Sequence, residues 1–108
     1  MRLEIRSRGL ELCAAWQDSI RRRLGFVLGR FGSRVGRVTV HLANTAAQRG
    51  GSDTCCRIVA RLLPAGRVCV EVTETDPTTA LNRAAQRIGR AVGREFLRRQ
   101  DAGRNGGP

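Results

Sequence analysis

The stretch TCCRIVARLLPAGRVCVEVTE, residues 54–74, contains two runs rich in apolar, β-branched residues, separated by Pro-Ala-Gly. β-Branched residues favour strands, and proline and glycine favour a tight turn. In the second run every second residue is a valine, which places these side chains on one face of a strand. The valines expected to face inward are Val68, Val70 and Val72. The stretch predicts an antiparallel hairpin, with strands at 54–63 and 67–74.

Two further strands are predicted before this hairpin. RVTVHL (37–42) and RLEIR (2–6) both alternate apolar residues with polar or charged ones, as half-buried strands do. The apolar face of RVTVHL is made of Val38, Val40 and Leu42. The segment 43–53 is polar and contains glycine, so we expect a mobile hairpin loop there.

Two stretches have the periodicity of a helix. From Ala14 to Phe31, apolar residues recur on one side of a helical wheel. They are Trp16, Ile20, Leu24, Val27, Leu28 and Phe31. Cys13 occupies the N-cap position of this helix, where cysteine is a weak choice. The last helix is expected to run to about Gln100, because Asp76 suits its N-cap and Pro77 its first position.

The element order β-α-β-β-β-α predicts an α+β fold: a four-stranded mixed sheet with two roughly parallel helices packed on one face. The first two strands should be parallel, joined by a right-handed crossover, and the later pairs antiparallel. Residues 1–100 are expected to form a single domain, and residues 101–108 a disordered C-terminal tail.

The last helix carries five arginines at spacings of three and four. The residues expected to face the core are Leu81, Ala85, Ile88, Val92 and Phe96. The arginines lie between about 180° and 260° from Leu81, on one stripe about 22 Å long. They are Arg83, Arg87, Arg90, Arg94 and Arg98. Like charges at these spacings weaken a helix, so the stripe predicts a binding role; the alternative is a solvated face that only aids solubility.

The first helix adds three more arginines to this surface. Arg22 lies on its outer face, and Arg23 and Arg30 flank its apolar stripe. If the helices pack side by side, all eight arginines form one convex cationic surface, and arginine binds phosphate oxygens bidentately. All 20 cationic residues of the chain are arginine, and the formal net charge is +11. This charge predicts a polyanionic partner, nucleic acid before an anionic membrane surface.

The opposite face of the sheet carries charges of both signs. Its residues are Glu4, Arg6, Arg37, His41, Arg57, Arg61 and Glu71. We expect them to pair with one another across the strands. This face lacks the aromatic residues with which RNA-recognition sheets stack bases, and three of the four aromatic side chains have core positions. Contacts to phosphates are therefore favoured over base stacking.

No catalytic, metal or cofactor site is predicted, and no small-molecule substrate. His41 is the only histidine and sits in a strand, and no nucleophile–base motif is present. The cysteines, Cys13, Cys55, Cys56 and Cys69, fit no zinc spacing; we expect reduced, partly buried thiols, with a metal site or redox switch as alternatives. Three acidic residues are expected either to neutralise part of the arginine charge or to start the last helix. They are Glu71, Glu74 and Asp76.

The sequence predicts a soluble, cytoplasmic protein. Its N-terminus is charged from the second residue, which excludes a secretory signal, and no apolar run is long enough to span a membrane. The oligomeric state stays open.

Several local patterns in order resemble a known family. They are LEIRSRGLEL leading into AWQDSIRRRLGFVLGRF, then VGRVTVHL, AGRVCVEVTETD and ALNRAAQRIGRAV. From residue 2 to about residue 99 the chain resembles the ribosome hibernation-promoting factors and ribosome-associated translation inhibitors, also called sigma-factor modulation proteins. The resemblance implies a β-α-β-β-β-α fold that binds rRNA of the small ribosomal subunit, in the channel used by mRNA and tRNA. Such proteins block translation and preserve idle ribosomes, a stress response.

The resemblance also implies which residues bind rRNA. The basic positions of the family correspond to Arg22, Arg23, Arg87, Arg90 and Arg94. Thr78 departs from the family, whose members often have an aromatic residue there, and three helical glycines, Gly25, Gly89 and Gly93, each cost about 1 kcal/mol relative to alanine. For Gly93 two interpretations stay open: a close backbone approach, or a neutral change with no structural role.

A chain of this length is expected to lack the second domain with which long members of the family dimerise ribosomes. Two alternatives use the same arginine surface: a general binder of double-stranded nucleic acid, and a regulatory module that binds an acidic protein.

Overall fold

The computed structural model describes residues 1–44 and 53–105, the last five of these by their backbone alone. Its elements are β1 (Arg2–Arg8), α1 (Ala14–Leu28), a 3-10 helix (Gly29–Arg34), β2 (Val35–Asn44), β3 (Thr54–Leu62), β4 (Arg67–Glu74) and α2 (Pro77–Asn105). The predicted order β-α-β-β-β-α is confirmed.

The four strands form one mixed sheet in the order β1-β2-β3-β4. β1 and β2 are parallel, and the two later pairs are antiparallel, as predicted. The register of β2 against β3 shifts between Val35 and Val38, so that Gly36 and Arg37 together oppose the single residue Arg61. Such a bulge increases the local twist of a strand.

The core lies between one face of the sheet and both helices. The predicted inward residues of β2 are buried, and so are Ile20, Leu24 and Leu28 of α1. From α2 the buried residues are Ala80, Leu81, Ala84, Ala85, Ile88 and Val92. Each large apolar side chain buried here contributes about 1.5–3 kcal/mol. The predicted fold class, with both helices on one face of the sheet, is confirmed.

The two helices begin differently. Asp76 caps α2: its Oδ2 accepts hydrogen bonds from the backbone nitrogen of Thr79 at 2.9 Å and from the Thr79 hydroxyl at 3.0 Å. Pro77 is the first helical residue, as predicted. Cys13 holds the corresponding position before α1, but its side chain makes no capping hydrogen bond. The helix α1 therefore lacks the side-chain cap that α2 has.

The ends of both α-helices differ from the sequence-based prediction. The first helix ends at Leu28 rather than near Phe31, because the chain tightens into a 3-10 helix; Gly32 in that segment has φ 58°, a conformation suited to glycine. α2 continues to Asn105, so the part of the predicted tail up to that residue is helical. The remaining tail residues, 106–108, and the loop residues 45–52 lie outside the described part of the chain. None of the described helices is sufficiently long and apolar to cross a membrane.

Candidate nucleic-acid interface

Glycines bring α1 and α2 close together. A Cβ atom on Gly89 would lie 3.3 Å from Val27 Cβ and 3.4 Å from the Val27 carbonyl oxygen. One turn later, a Cβ on Gly93 would lie 3.0 Å from a guanidinium nitrogen of Arg30. The close backbone approach is thus at Gly89, whereas Gly93 makes room for an arginine side chain. Because the helices touch, their outer faces form one continuous surface.

All eight arginines predicted for this surface are exposed. We call them the helix surface: Arg22, Arg23, Arg30, Arg83, Arg87, Arg90, Arg94 and Arg98. They separate into three groups according to what their guanidinium groups contact.

Two arginines of the helix surface are ion-paired. Arg83 Nη1 donates to Glu74 Oε1 at 2.7 Å. Arg98 forms a two-point contact with Glu95, at 2.6 and 3.1 Å. Hydrogen bonds from Arg98 and then Arg99 hold the pKa of Glu95 below its usual value, and the same carboxylate raises the pKa of Arg98. With Asp76 capping α2, the predicted roles of the acidic cluster are confirmed for Glu74 and Asp76.

Arg30 is held by an aromatic ring. Its guanidinium carbon lies 4.6 Å from the centroid of the Phe31 ring, and the Phe31 and Phe96 rings pack with centroids 5.6 Å apart. Cation–π contacts of this kind contribute about 0.5–1 kcal/mol at exposed positions. Arg30 is therefore oriented by Phe31 and by the space above Gly93.

The other five arginines of the helix surface make neither an ion pair nor a cation–π contact with any residue that the structure describes. They are Arg22, Arg23, Arg87, Arg90 and Arg94. Like charges one turn apart destabilise a helix by a few tenths of a kcal/mol per pair, and Arg87, Arg90 and Arg94 have this spacing. Unpaired guanidinium groups are available to anionic ligands at no cost in broken ion pairs. These five coincide with the five positions that the family resemblance picks out.

The surface also exposes an aromatic ring. Phe26 is 85% exposed and borders a shallow depression between α1 and the start of α2. Arg22, Arg23 and Thr78 line the same depression. Phe26 lies off the apolar stripe of α1, which is the sequence signal for its exposure. An exposed ring beside guanidinium groups can stack on a nucleobase.

Arg99 has a structural role that sequence patterns did not indicate. It donates to the carbonyl oxygen of Ala65 at 2.6 Å and to Glu95 at 3.1 Å. Ala65 lies in the turn between β3 and β4, followed by Gly66 at φ 97°. A Cβ on Gly66 would lie only 2.5 Å from an Arg99 nitrogen. Arg99 thereby fastens α2 to this turn.

On the opposite face of the sheet, the predicted pairing is confirmed around Glu4. Its carboxylate lies 3.5 Å from Arg6 and 3.7 Å from Arg37. Elsewhere on the face, Glu71 accepts a hydrogen bond from the Cys55 thiol at 3.0 Å, and Arg57 donates to the Cys69 sulfur at 3.3 Å. Glu71 also lies opposite Arg57 across β3 and β4, and after the Cys69 sulfur its negative charge contributes to raising the pKa of Arg57, so Glu71 partly offsets arginine charge as predicted.

The cysteines do not assemble a metal site. Cys13 and Cys69 are exposed and Cys56 is buried, while burial and Glu71 raise the pKa of the Cys55 thiol. Within the described residues, no three His, Cys, Asp or Glu side chains lie close enough together to hold a metal ion. All four cysteines are free thiols.

Comparisons with known proteins show that this chain is similar to solved structures. No protein-family model and no curated protein sequence matches the chain. The N-terminal domain of Thermus thermophilus Protein Y superimposes with a TM-score of 0.73 and 26% sequence identity, over 87% of this chain and 98% of that domain. A ribosomal subunit interface protein from Coxiella burnetii superimposes with a TM-score of 0.76 over 90% of this chain and 99% of its own, at 8% identity, which is a likeness of fold alone. These neighbours confirm the predicted resemblance: in fold and element order the chain is similar to the hibernation-promoting factor family.

Proposed function

We propose that this chain is a non-enzymatic, cytoplasmic ribosome-associated factor that binds rRNA of the small subunit through the helix surface. The observation that carries the proposal is the set of five exposed arginines that have no ion pair and no cation–π contact within the described part of the chain, spread over two helices in contact. The names of the structural neighbours, a Protein Y domain and a ribosomal subunit interface protein, support a ribosomal partner.

The proposed contacts are mainly electrostatic. Arg87, Arg90 and Arg94 follow one another along α2 at one-turn spacing, and Arg22 and Arg23 add charge from α1. A row of guanidinium groups on a convex surface fits the phosphate backbone that lines a groove or channel, because each fork can bond two phosphate oxygens. Phe26, next to this charge, offers a stacking contact to an exposed base.

The proposed mechanism is competition. A protein bound by these phosphate contacts in the mRNA and tRNA channel excludes both ligands and so inhibits translation, without a chemical step. Idle ribosomes occupied in this way would be preserved for later use, which is hibernation.

The test is cosedimentation of the purified protein with small ribosomal subunits across a salt series, with and without mRNA and tRNA filling the channel. We expect salt-sensitive binding that mRNA and tRNA abolish. If about five phosphates are neutralised, log K falls with log salt at a slope near −4. A nearly flat salt dependence contradicts the electrostatic account, and binding unaffected by mRNA and tRNA contradicts the channel.

Two controls address the alternative functions. A general nucleic-acid binder would bind naked duplex RNA or DNA as tightly as it binds subunits. A regulatory module for an acidic protein would keep its partner after nuclease treatment. Either result would replace the ribosomal proposal.

A further inference from the structure

A row of four arginines crosses the open face of the sheet, on the side away from the helices. Arg2 of β1 is in register with Arg37 of β2, and Arg61 of β3 is in register with Arg67 of β4. The bulge in β2 sets Arg37 against Arg61, which joins the two pairs into one row. We call Arg2, Arg37, Arg61 and Arg67 the sheet row.

The side chains of the sheet row are on the open face and exposed to solvent. Their strand neighbours Leu3, Val38, Ala60 and Val68 face the core or pack against it, so alternation directs the arginines to the other side. All four arginines are exposed. Three of them line one shallow depression, formed by Arg37, Thr39, Val59, Arg61, Gly66 and Arg67.

Within the described chain, little offsets the charge of this row. Arg37 lies 3.7 Å from Glu4, a long contact that the carboxylate shares with Arg6. Arg2, Arg61 and Arg67 form no ion pair with a described residue. Like charges directly opposite each other destabilise a sheet. The fold does not benefit from this row, so a ligand is the better explanation for it.

We propose that the sheet row binds the phosphate backbone of a second RNA segment. The partner's chemistry follows from the charge and the spacing. Neighbouring strands are about 4.8 Å apart, so the backbones of the four residues span about 14 Å across the sheet. Phosphates repeat along a nucleic-acid strand at intervals of a few ångströms, so one strand can meet the whole row.

This RNA segment has to be distinct from the one on the helix surface. The sheet and the layer of helices, each helix about 10 Å across, separate the two cationic surfaces. A single strand cannot contact both without passing around the edge of the domain. The protein would then sit between two RNA segments, such as the two walls of a channel. This inference rests on the proposed function only in taking RNA as the partner.

The test compares two variants with the same change in net charge. Arg61→Glu/Arg67→Glu alters the sheet row, and Arg8→Glu/Arg21→Glu alters two exposed arginines that belong to neither the sheet row nor the helix surface; Arg8 lies on the open face but at the opposite end of β1 from Arg2. We expect the first variant to bind small subunits at least tenfold more weakly than the second. Its salt slope should be shallower than that of the wild type by about 1.5, the value for two lost phosphate contacts.

A neutral variant separates binding from folding. Arg61→Gln/Arg67→Gln removes the repulsion within the row, so it should be at least as stable as the wild type while binding less tightly. If both row variants bind like the Arg8→Glu/Arg21→Glu control, the inference is overturned. A photo-crosslinking residue at position 61 should react with rRNA; reaction with protein alone would identify an acidic protein instead and also overturn it.

Failure of the proposed function would look different. A wild-type protein that does not bind subunits refutes the ribosomal proposal, whatever the row does. The same variants, each also carrying Arg87→Glu/Arg90→Glu/Arg94→Glu so that the helix surface does not bind the probe, are then compared by fluorescence anisotropy on a labelled RNA hairpin. An equal affinity of row and control variants in that assay overturns the sheet row as an RNA site.

Discussion

Gly89 of α2 lies directly against Val27 of α1, with 3.3 Å between the Cβ of Val27 and the position of a Cβ on the glycine. The spacing of the two helices is set here. Gly89→Leu should therefore destabilise the protein by about 1–3 kcal/mol, the cost of overpacking a tight contact, despite leucine's better helix propensity. Chemical denaturation measures the change.

The matched control for this change is Gly25. A Cβ on Gly25 would meet no atom within 4 Å. Gly25→Leu should stabilise the protein, by about 0.5 kcal/mol, because only the helix propensity changes. Equal effects at the two positions would show that Gly89 does not set the helix spacing.

The helix caps offer a second prediction. Asp76→Ala removes the acceptor of two hydrogen bonds from Thr79 and should cost about 1 kcal/mol. Cys13→Ser supplies a capping hydroxyl where the thiol makes no capping bond, and should raise stability by up to about 1 kcal/mol. Thermal unfolding checks both. A destabilised Cys13→Ser variant would mean that the thiol has a packing role.

Paired and unpaired arginines on the same helix should differ in RNA binding. Arg87→Gln/Arg90→Gln removes two unpaired guanidinium groups and should make the salt slope shallower by about 1.5. Arg83→Gln/Arg98→Gln removes the same charge from the same stripe, but these guanidinium groups already hold Glu74 and Glu95. Its effect on the slope should be less than half as large. Equal effects would mean that RNA displaces the carboxylates.

Charge reversal tests the same surface more severely. Arg87→Glu/Arg90→Glu/Arg94→Glu should abolish cosedimentation with subunits while circular dichroism stays unchanged, because all three side chains are exposed. Unchanged cosedimentation would refute the assignment of the helix surface.

The pH dependence of stability should include a contribution from Glu95. Its pKa in the folded protein is lowered by Arg98 and Arg99, so its contribution is present above the carboxylate's unfolded pKa and is lost as pH falls through the lower folded pKa. Glu95→Gln should therefore reduce the difference in stability between neutral and acidic pH. The contribution is small because the pair is exposed. An NMR titration that places the Glu95 pKa at or above its ordinary value would contradict the ion pairs.

The four thiols should differ in reactivity. Burial raises the pKa of Cys56 to about 12, and the side chain is fully enclosed in the core. Cys13 and Cys69 are exposed. Alkylation near pH 8 followed by mass spectrometry should label Cys13 and Cys69 first, Cys55 more slowly and Cys56 only after denaturation. Rapid labelling of Cys56 in the native protein would indicate frequent opening of the sheet.

The regular spacing of apolar residues along the sequence predicted most of the fold. Successive side chains of a strand point to opposite faces, so the alternation of apolar residues in β2 correctly places Val38, Val40 and Leu42 in the core. In α2 the helical periodicity gives one apolar side, which correctly places Ile88 and Val92 there. The end of α1 could not be predicted, since Phe31 keeps the helical spacing and is buried even though its backbone is 3-10. The sequence pattern shows which side chains are apolar. It does not show whether the backbone is α-helical or 3-10, because either conformation can bury Phe31.

The sequence predicted where the arginines of the candidate site lie, but not which of them form ion pairs. The wheel put Arg83 and Arg94 on one stripe, and both are exposed there. That Arg83 meets Glu74, nine residues earlier, depends on how β4 runs beneath α2, which no local pattern contains. The sheet row was missed for a similar reason. Joining Arg37 to Arg61 requires the register of β2 against β3, including its bulge.

The sequence contains no lysine, so every cationic side chain of the helix surface is an arginine, whose charge is permanent. A guanidinium group stays protonated at any pH at which the fold survives, and it cannot be acetylated as an ammonium group can. Methylation would remove hydrogen-bond donors but leave the charge in place. Neither acidification nor lysine acetylation can therefore reduce the positive charge of this surface. Its affinity is expected to follow ionic strength, the amount of protein present and the competitors already bound to its partner.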